Sequence, residues 1–163
     1  MLRGLPPRGR WYILTVIAAG ALTLIVLLPR ATFVPVIPWL LLVFLSSLTS
    51  AFKVQLPITT GSTMSVSYIV DIASLILRGP HATMVVGAAS GWSQSTWNSQ
   101  TPSPPYRTLF NMAVLVLTVE AAGQVYQRLG GASQVEMTEI AVPLAGMALT
   151  YFFVNTIPIA WAI

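Results

Sequence analysis

The stretch WYILTVIAAGALTLIVLL, Trp11 to Leu28, carries no charge and is long enough to cross the hydrocarbon core of a bilayer as a helix. Runs of the same kind recur along the chain, and this recurrence restricts the fold more than any other feature. Backbone in lipid must satisfy its own N–H and C=O groups, which leaves helices or closed barrels. The apolar runs are continuous rather than alternating, so helices are expected. The composition agrees: 55% of the 163 residues are hydrophobic and 7% are charged, against about 25% charged in an ordinary soluble domain. So few charges cannot cover a water-facing surface, and lipid is the expected solvent. With no cysteine, disulfides and thiolate metal sites are excluded. The net charge of +4 comes mostly from scattered arginines; it is read as membrane orientation, not nucleic-acid binding.

The expected architecture is an all-α integral membrane protein, a single polytopic domain over 1–163 with about six transmembrane helices near 11–28, 34–52, 64–77, 81–97, 107–129 and 140–163. The head MLRGLPPRGR brings Arg3, Arg8 and Arg10 before the first helix. That helix is read as retained, because its apolar run exceeds a signal-peptide core and no small-x-small cleavage site follows. Pro35 and Pro38 open the second helix, where a missing N–H costs least, and Trp39 is an interfacial anchor. KVQLPITTGST, from Lys53, does not look helical and is expected to be a short extended re-entrant or interfacial segment. Arg78-Gly79-Pro80 is a stop and restart between helices, NSQTPSPP is a loop, and Pro143 and Pro158 are expected to kink the last helix. The apolar run reaches the last residue with no polar tail, which leads to the expectation of a longer protein or a larger assembly around this chain. Six spans place Arg3, Arg8, Arg10, Lys53 and Arg107 on one side and Arg30, Arg78 and Arg128 on the other. The positive-inside rule then gives N-in and C-in in a bacterial cytoplasmic (inner) membrane.

Asp71 stands in the middle of an apolar helix, where an ionised carboxylate costs several kcal/mol unless paired or wetted. Ser67, Asp71, Ser74 or Leu75, and Arg78 share one stripe, which must face protein or water. Glu120 raises the same question in the fifth helix, with Gln124 one turn on, Arg128 two turns on and Asn111 toward the helix start. For Asp71, Glu120, Asn111, Gln124, Ser67 and Arg78 a structural role, as interhelical hydrogen-bond anchors, outweighs a proton or ion pathway. Gly87 and Gly91 form a G-x-x-x-G suited to close helix packing. Trp92, Gln94 and Trp97 offer a possible small-ligand pocket, against the blander reading of a wet helix end with aromatic belt residues. His81, the only histidine, is disfavoured as a metal, pigment or haem ligand, because it stands at a helix start near the interface. No Gly-rich phosphate loop, H-E-x-x-H or G-x-S-x-G is present, so the chain alone is read as non-catalytic and without cofactors other than bound lipid.

From Phe52 onward, FKVQLPITTGSTMSVSYIVDIASLILRGPHATMVVGAASG resembles the membrane-embedded N-terminal region of bacterial HD-GYP-type and GGDEF-type signalling proteins. YRTLFNMAVLVLTVEAAGQVYQRLGG and ALTYFFVNT fit the same pattern, so the resemblance covers roughly two-thirds of the chain. It implies an input or anchoring module ahead of a cytoplasmic cyclic-dinucleotide enzyme. No HD or GGDEF domain is present, so no phosphodiesterase or cyclase activity carries over. A weaker similarity is to the substrate-capturing subunits of vitamin transporters. Three readings follow: an accessory or structural subunit or anchor-sensor module in a larger membrane assembly, for example a photosynthetic or respiratory one; the membrane input of a signalling enzyme; or a solute-binding transporter subunit using Asp71, Glu120 and the Trp92–Trp97 region. The expected partners are membrane lipids and other membrane subunits.

Overall fold

A computed structural model describes residues 7–55, 63–97, 104–131 and 137–162. In order, the elements are α1 (Pro7–Leu27), a 3₁₀ turn (Leu28–Arg30), α2 (Val36–Ser50), β1 (Lys53–Gln55), β2 (Thr63–Ser65), α3 (Ser67–Thr96), α4 (Pro105–Arg128) and α5 (Met137–Trp161). Prolines set several of the boundaries. Pro29 lies in the 3₁₀ turn, and Pro35 caps α2 in an extended conformation. Pro104 and Pro105 open α4.

By length and composition four helices are candidate membrane spans, Pro7–Arg30, Ser67–Thr96, Pro105–Arg128 and Glu139–Trp161, the second of them broken at Gly79. The six expected spans differ from this in two places. The second helix is only 15 residues long, and α3 runs through both the third and the fourth. The expected re-entrant or interfacial segment is, where described, a ribbon in which β1 pairs antiparallel with β2, Val54 opposite Met64; residues 56–62 lie outside the described residues. The expected helix start at Met64 moves to Ser67, because Met64 and Ser65 belong to the ribbon.

Helix α3 is not straight. Gly79 has φ 75° and ψ 175°, outside helical space, and Pro80 follows it. Ser90 Oγ donates to Ser67 Oγ at 3.0 Å and Ser74 Oγ meets Thr83 Oγ1 at 2.9 Å. In a straight helix the first pair would stand about 35 Å apart. The chain therefore reverses at Gly79, and limbs 67–78 and 80–96 lie antiparallel. A left-handed φ with extended ψ is a region that essentially only glycine occupies, at about 1–3 kcal/mol for other residues. A Cβ at Gly79 would meet nothing nearer than Gln127 Nε2 at 3.7 Å, so the cost is in the backbone and not in a clash. Gly79→Ala is expected to lower stability by about 1–3 kcal/mol, read as a shifted thermal or denaturant midpoint in detergent. An unchanged midpoint would show that the reversal does not depend on this backbone conformation.

Counting the two limbs separately, six helical segments alternate in direction. Tyr12, near the start of α1, donates to Pro158 O near the end of α5 at 3.2 Å. Asn111, early in α4, donates to Ser95 at the end of α3 at 2.9 Å. The start of α5 meets the end of α4, where Gly146 faces Leu129. One end of the bundle therefore holds the start of α1, the ribbon, the start of α4 and the end of α5. The other holds the 3₁₀ turn, the Gly79 reversal and the end of α4.

The core lies between α3, α4 and α5, where Leu75, Met84, Val119, Ala122 and Met147 are buried, with Leu24 and Leu27 of α1 packed on it. Half of the most apolar stretch of α3 and 56% of that of α4 are buried, against 11% for α1 and 17% for α5. Helices α1 and α5 are thus outer helices. Their exposed residues are large and apolar, among them Trp11, Leu22, Ile25, Phe152, Phe153 and Trp161, as lipid or partner helices require.

Candidate functional site

The interior of the bundle is polar along one seam. Asp71 has no exposed surface. Ser46 of α2 donates to its Oδ1 at 2.7 Å, and Tyr151 of α5 donates to its Oδ2 at 2.8 Å. The carboxylate thus ties three helices together through hydroxyl donors, which meet its demand without a cation. Ser67, the neighbour one turn back, accepts from Ser90 and from Gln94 at 3.2 Å. Ser93 donates to Ser47 O at 2.7 Å, a further α2–α3 bond. The small hydroxyl residues satisfy one another while allowing the helices to approach closely, as membrane bundles favour.

Glu120 has separate partners. Its Oε2 lies 3.1 Å from His81 Nδ1, and its Oε1 accepts from Gln124 Nε2 at 2.9 Å. The His81 contact is the one ion pair among the described residues when the ring is protonated. His81 is thus a partner of a buried carboxylate at the mouth of the α3 reversal, with Nδ1 committed to Glu120.

The predicted stripe Ser67–Asp71–Ser74 faces protein throughout. Arg78, two turns on, turns away from Asp71 and donates from Nη1 to Val34 O at 2.9 Å and from Nη2 to Pro35 O at 3.0 Å. The suggested pocket of Trp92, Gln94 and Trp97 is not gathered. Both tryptophans are exposed on the outer surface, whereas Gln94 turns inward to Ser67 and Ser90. Asp71 and Glu120 do not share a hydrogen-bond partner. Gly87 and Gly91 do lie on the α3–α4 contact, where a Cβ at Gly91 would sit 2.9 Å from Met112 N and Cα.

Sequence reasoning missed Ser46 and Tyr151 as the partners of Asp71. The run Ser46-Ser47-Leu48-Thr49-Ser50 was the available signal, since hydroxyls clustered in an apolar helix mark a face turned to protein. It also missed a cleft of about 420 Å³ between α1, α4 and α5, with Ile13, Phe110 and Ile159 as apolar wall and Arg107 and Asn111 as its polar side.

Thr118 Oγ1 is the one buried side-chain oxygen without a hydrogen-bond partner among the described residues. Leaving such a group unsatisfied costs about 1–3 kcal/mol. Thr118→Val, close in shape and lacking the hydroxyl, is therefore expected to stabilise the detergent-solubilised protein by about 1 kcal/mol. A lower thermal midpoint in this variant would show that the hydroxyl has a partner in solution.

The chain matches no protein-family model, no curated protein and no solved structure. The functional reading therefore rests on the geometry above.

Proposed function

We propose that this chain is a non-catalytic membrane module, an accessory subunit or anchor within a larger bacterial membrane assembly. It crosses the inner membrane as six alternating segments with both termini on the cytoplasmic side. The observation that carries this reading is the contrast between inside and outside. The interior carboxylates are each met by neighbouring side chains, as a packing device would be. The outer helices α1 and α5 turn most of their apolar surface outward, which suits lipid and partner helices. The orientation is supported by charge. Arg8, Arg10, Lys53 and Arg107 belong to the end holding the start of α1, and Arg30, Arg78 and Arg128 to the other, where Glu139 offsets one of them. The excess of positive charge marks the cytoplasmic side.

A second reading, the membrane input of a cyclic-dinucleotide signalling enzyme, draws support from the placement of the resembling stretches. They include the α3 reversal and α4, the packed centre of the bundle, with Tyr151 of the outer helix α5 beside it. The transporter reading has less support, because its proposed residues do not converge.

Mild-detergent extraction of the tagged protein from native membranes, then native-gel separation and mass spectrometry, separates the readings. Migration within a large complex, with the same co-migrating proteins in repeat preparations, is expected for an accessory subunit. Migration alone, with peptides from a following cyclase or phosphodiesterase domain, would favour the signalling reading and overturn the first.

A further inference from the structure

The outer face of the α2–α3 pair carries a groove of about 320 Å³ lined by Pro38, Leu41, Leu42, Leu45, Leu77 and Arg78. Five of these are apolar and one is a cation, and their order along the groove is informative. Pro38 and Arg78 stand at the end of the bundle that holds the Gly79 reversal. Leu45 directly precedes Ser46, which binds Asp71 deep in the bundle. The groove therefore descends from a charged rim over about 10 Å of α2, toward the middle of the membrane.

The rim is held in place. Arg78 spends one N–H on Val34 O and one on Pro35 O, and an arginine has five, so three remain for a ligand. Carbonyl acceptors do not neutralise its charge, and no acidic side chain pairs with it among the described residues. Trp39, one turn into α2, donates Nε1 to Ala82 O at 3.2 Å and packs edge-on against Phe33 with centroids 4.8 Å apart. Tryptophans of this kind mark the head-group level. A fixed cation at that level, above an apolar groove that descends toward the midplane, complements an acidic head with an acyl chain beneath it. A soluble anion would have no use for the leucines, and a zwitterionic lipid would gain less from the arginine.

We propose that this groove binds an anionic phospholipid, with the acyl chain along Leu41, Leu42 and Leu45 and the phosphate accepting from Arg78. The inference rests on the bilayer-embedded reading alone and holds with or without protein partners. The test is native mass spectrometry of the purified full chain with phosphatidylglycerol or phosphatidylcholine of identical acyl chains added at equal concentration. Wild type is expected to retain phosphatidylglycerol roughly fivefold to tenfold better, the range a charge-assisted contact supplies. Arg78→Gln should abolish that preference and Arg78→Lys should keep most of it. Leu41 is 60% exposed, so Leu41→Trp should fold normally, block the groove and lower retention of phosphatidylglycerol. Equal retention of the two lipids by wild type would overturn the proposal. So would a preference that survives Arg78→Gln, full retention in Leu41→Trp, or displacement by glycerol phosphate as readily as by the lipid. If Arg78→Gln does not fold, the wild-type comparison and Leu41→Trp still decide.

Discussion

Replacing Gly91 by leucine is expected to prevent the α3–α4 contact from forming and to leave little monodisperse protein after detergent extraction. A Cβ at this position would stand 2.9 Å from both N and Cα of Met112 and 3.0 Å from Asn111 O. All three are backbone atoms of α4, so relief requires moving the whole helix and not a rotamer. Overpacking of this kind costs about 1–3 kcal/mol and more when the obstacle cannot yield. It falls here on the best-buried pair of helices. Gly91→Ala already meets the obstacle, since it adds only the Cβ. Gly87→Ala is the matched control, because its nearest neighbour, Leu115 O, lies at 3.3 Å. The expected order of stability in detergent unfolding is wild type, then Gly87→Ala, then Gly91→Ala, with Gly91→Leu last. Reversal of the two alanine variants would show that the helices approach each other elsewhere.

The second large effect is expected at Asp71. Asp71→Leu removes the shared acceptor of Ser46 and Tyr151 in a buried seam; Ser46 can turn back to its own helix, and the stranded Tyr151 hydroxyl costs about 1–3 kcal/mol. Asp71→Asn keeps an acceptor for one hydroxyl and offers an amide N–H to the other, so assembly should remain nearly intact. Combining Asp71→Leu with Ser46→Ala and Tyr151→Phe removes every member of the cluster and should recover much of the loss, since an apolar replacement leaves nothing unsatisfied. Unfolding of the four proteins in detergent reads all of this. A well-assembled Asp71→Asn variant that lost its function in the membrane would instead mean that the charge itself is used, and the anchoring role would have to be abandoned.

The architecture was legible where it depends on one residue or on a long composition bias. The uncharged runs gave the helices, Gly79-Pro80 gave the break in α3, and the spacing of Gly87 and Gly91 gave the face on α4. The backbone demands of glycine and proline are local, so a sequence displays them directly. Of the carboxylates' partners only Gln124, one turn from Glu120, was legible; the others lie 25 and 80 residues from Asp71 and 39 residues from Glu120. Hydroxyls of Ser and Tyr carry no signature of which partner they will meet. Helical spacing aligned Arg78 with Asp71, but its guanidinium donates instead to the carbonyls of Val34 and Pro35, which precede α2. The direction of the limb after Gly79 depends on how α2 and α4 pack around it, which no local pattern records.

The reversal at Gly79 also makes the molecule uneven in thickness. Its limb 67–78 and the adjacent α2, with 15 residues, reach about 18 Å and 22 Å. On the other flank α1, with 21 residues, and α4, with 24, extend about 31 Å and 36 Å. A hydrocarbon core of about 30 Å fits the second flank and overshoots the first. Bilayer compressed beside α2 costs energy in proportion to the mismatch. A neighbour with equally short helices relieves that compression, whereas full-length helices suit the α1 flank. If the chain spans a bilayer as proposed, its short edge at α2 and limb 67–78 would favour neighbours of matching thickness there.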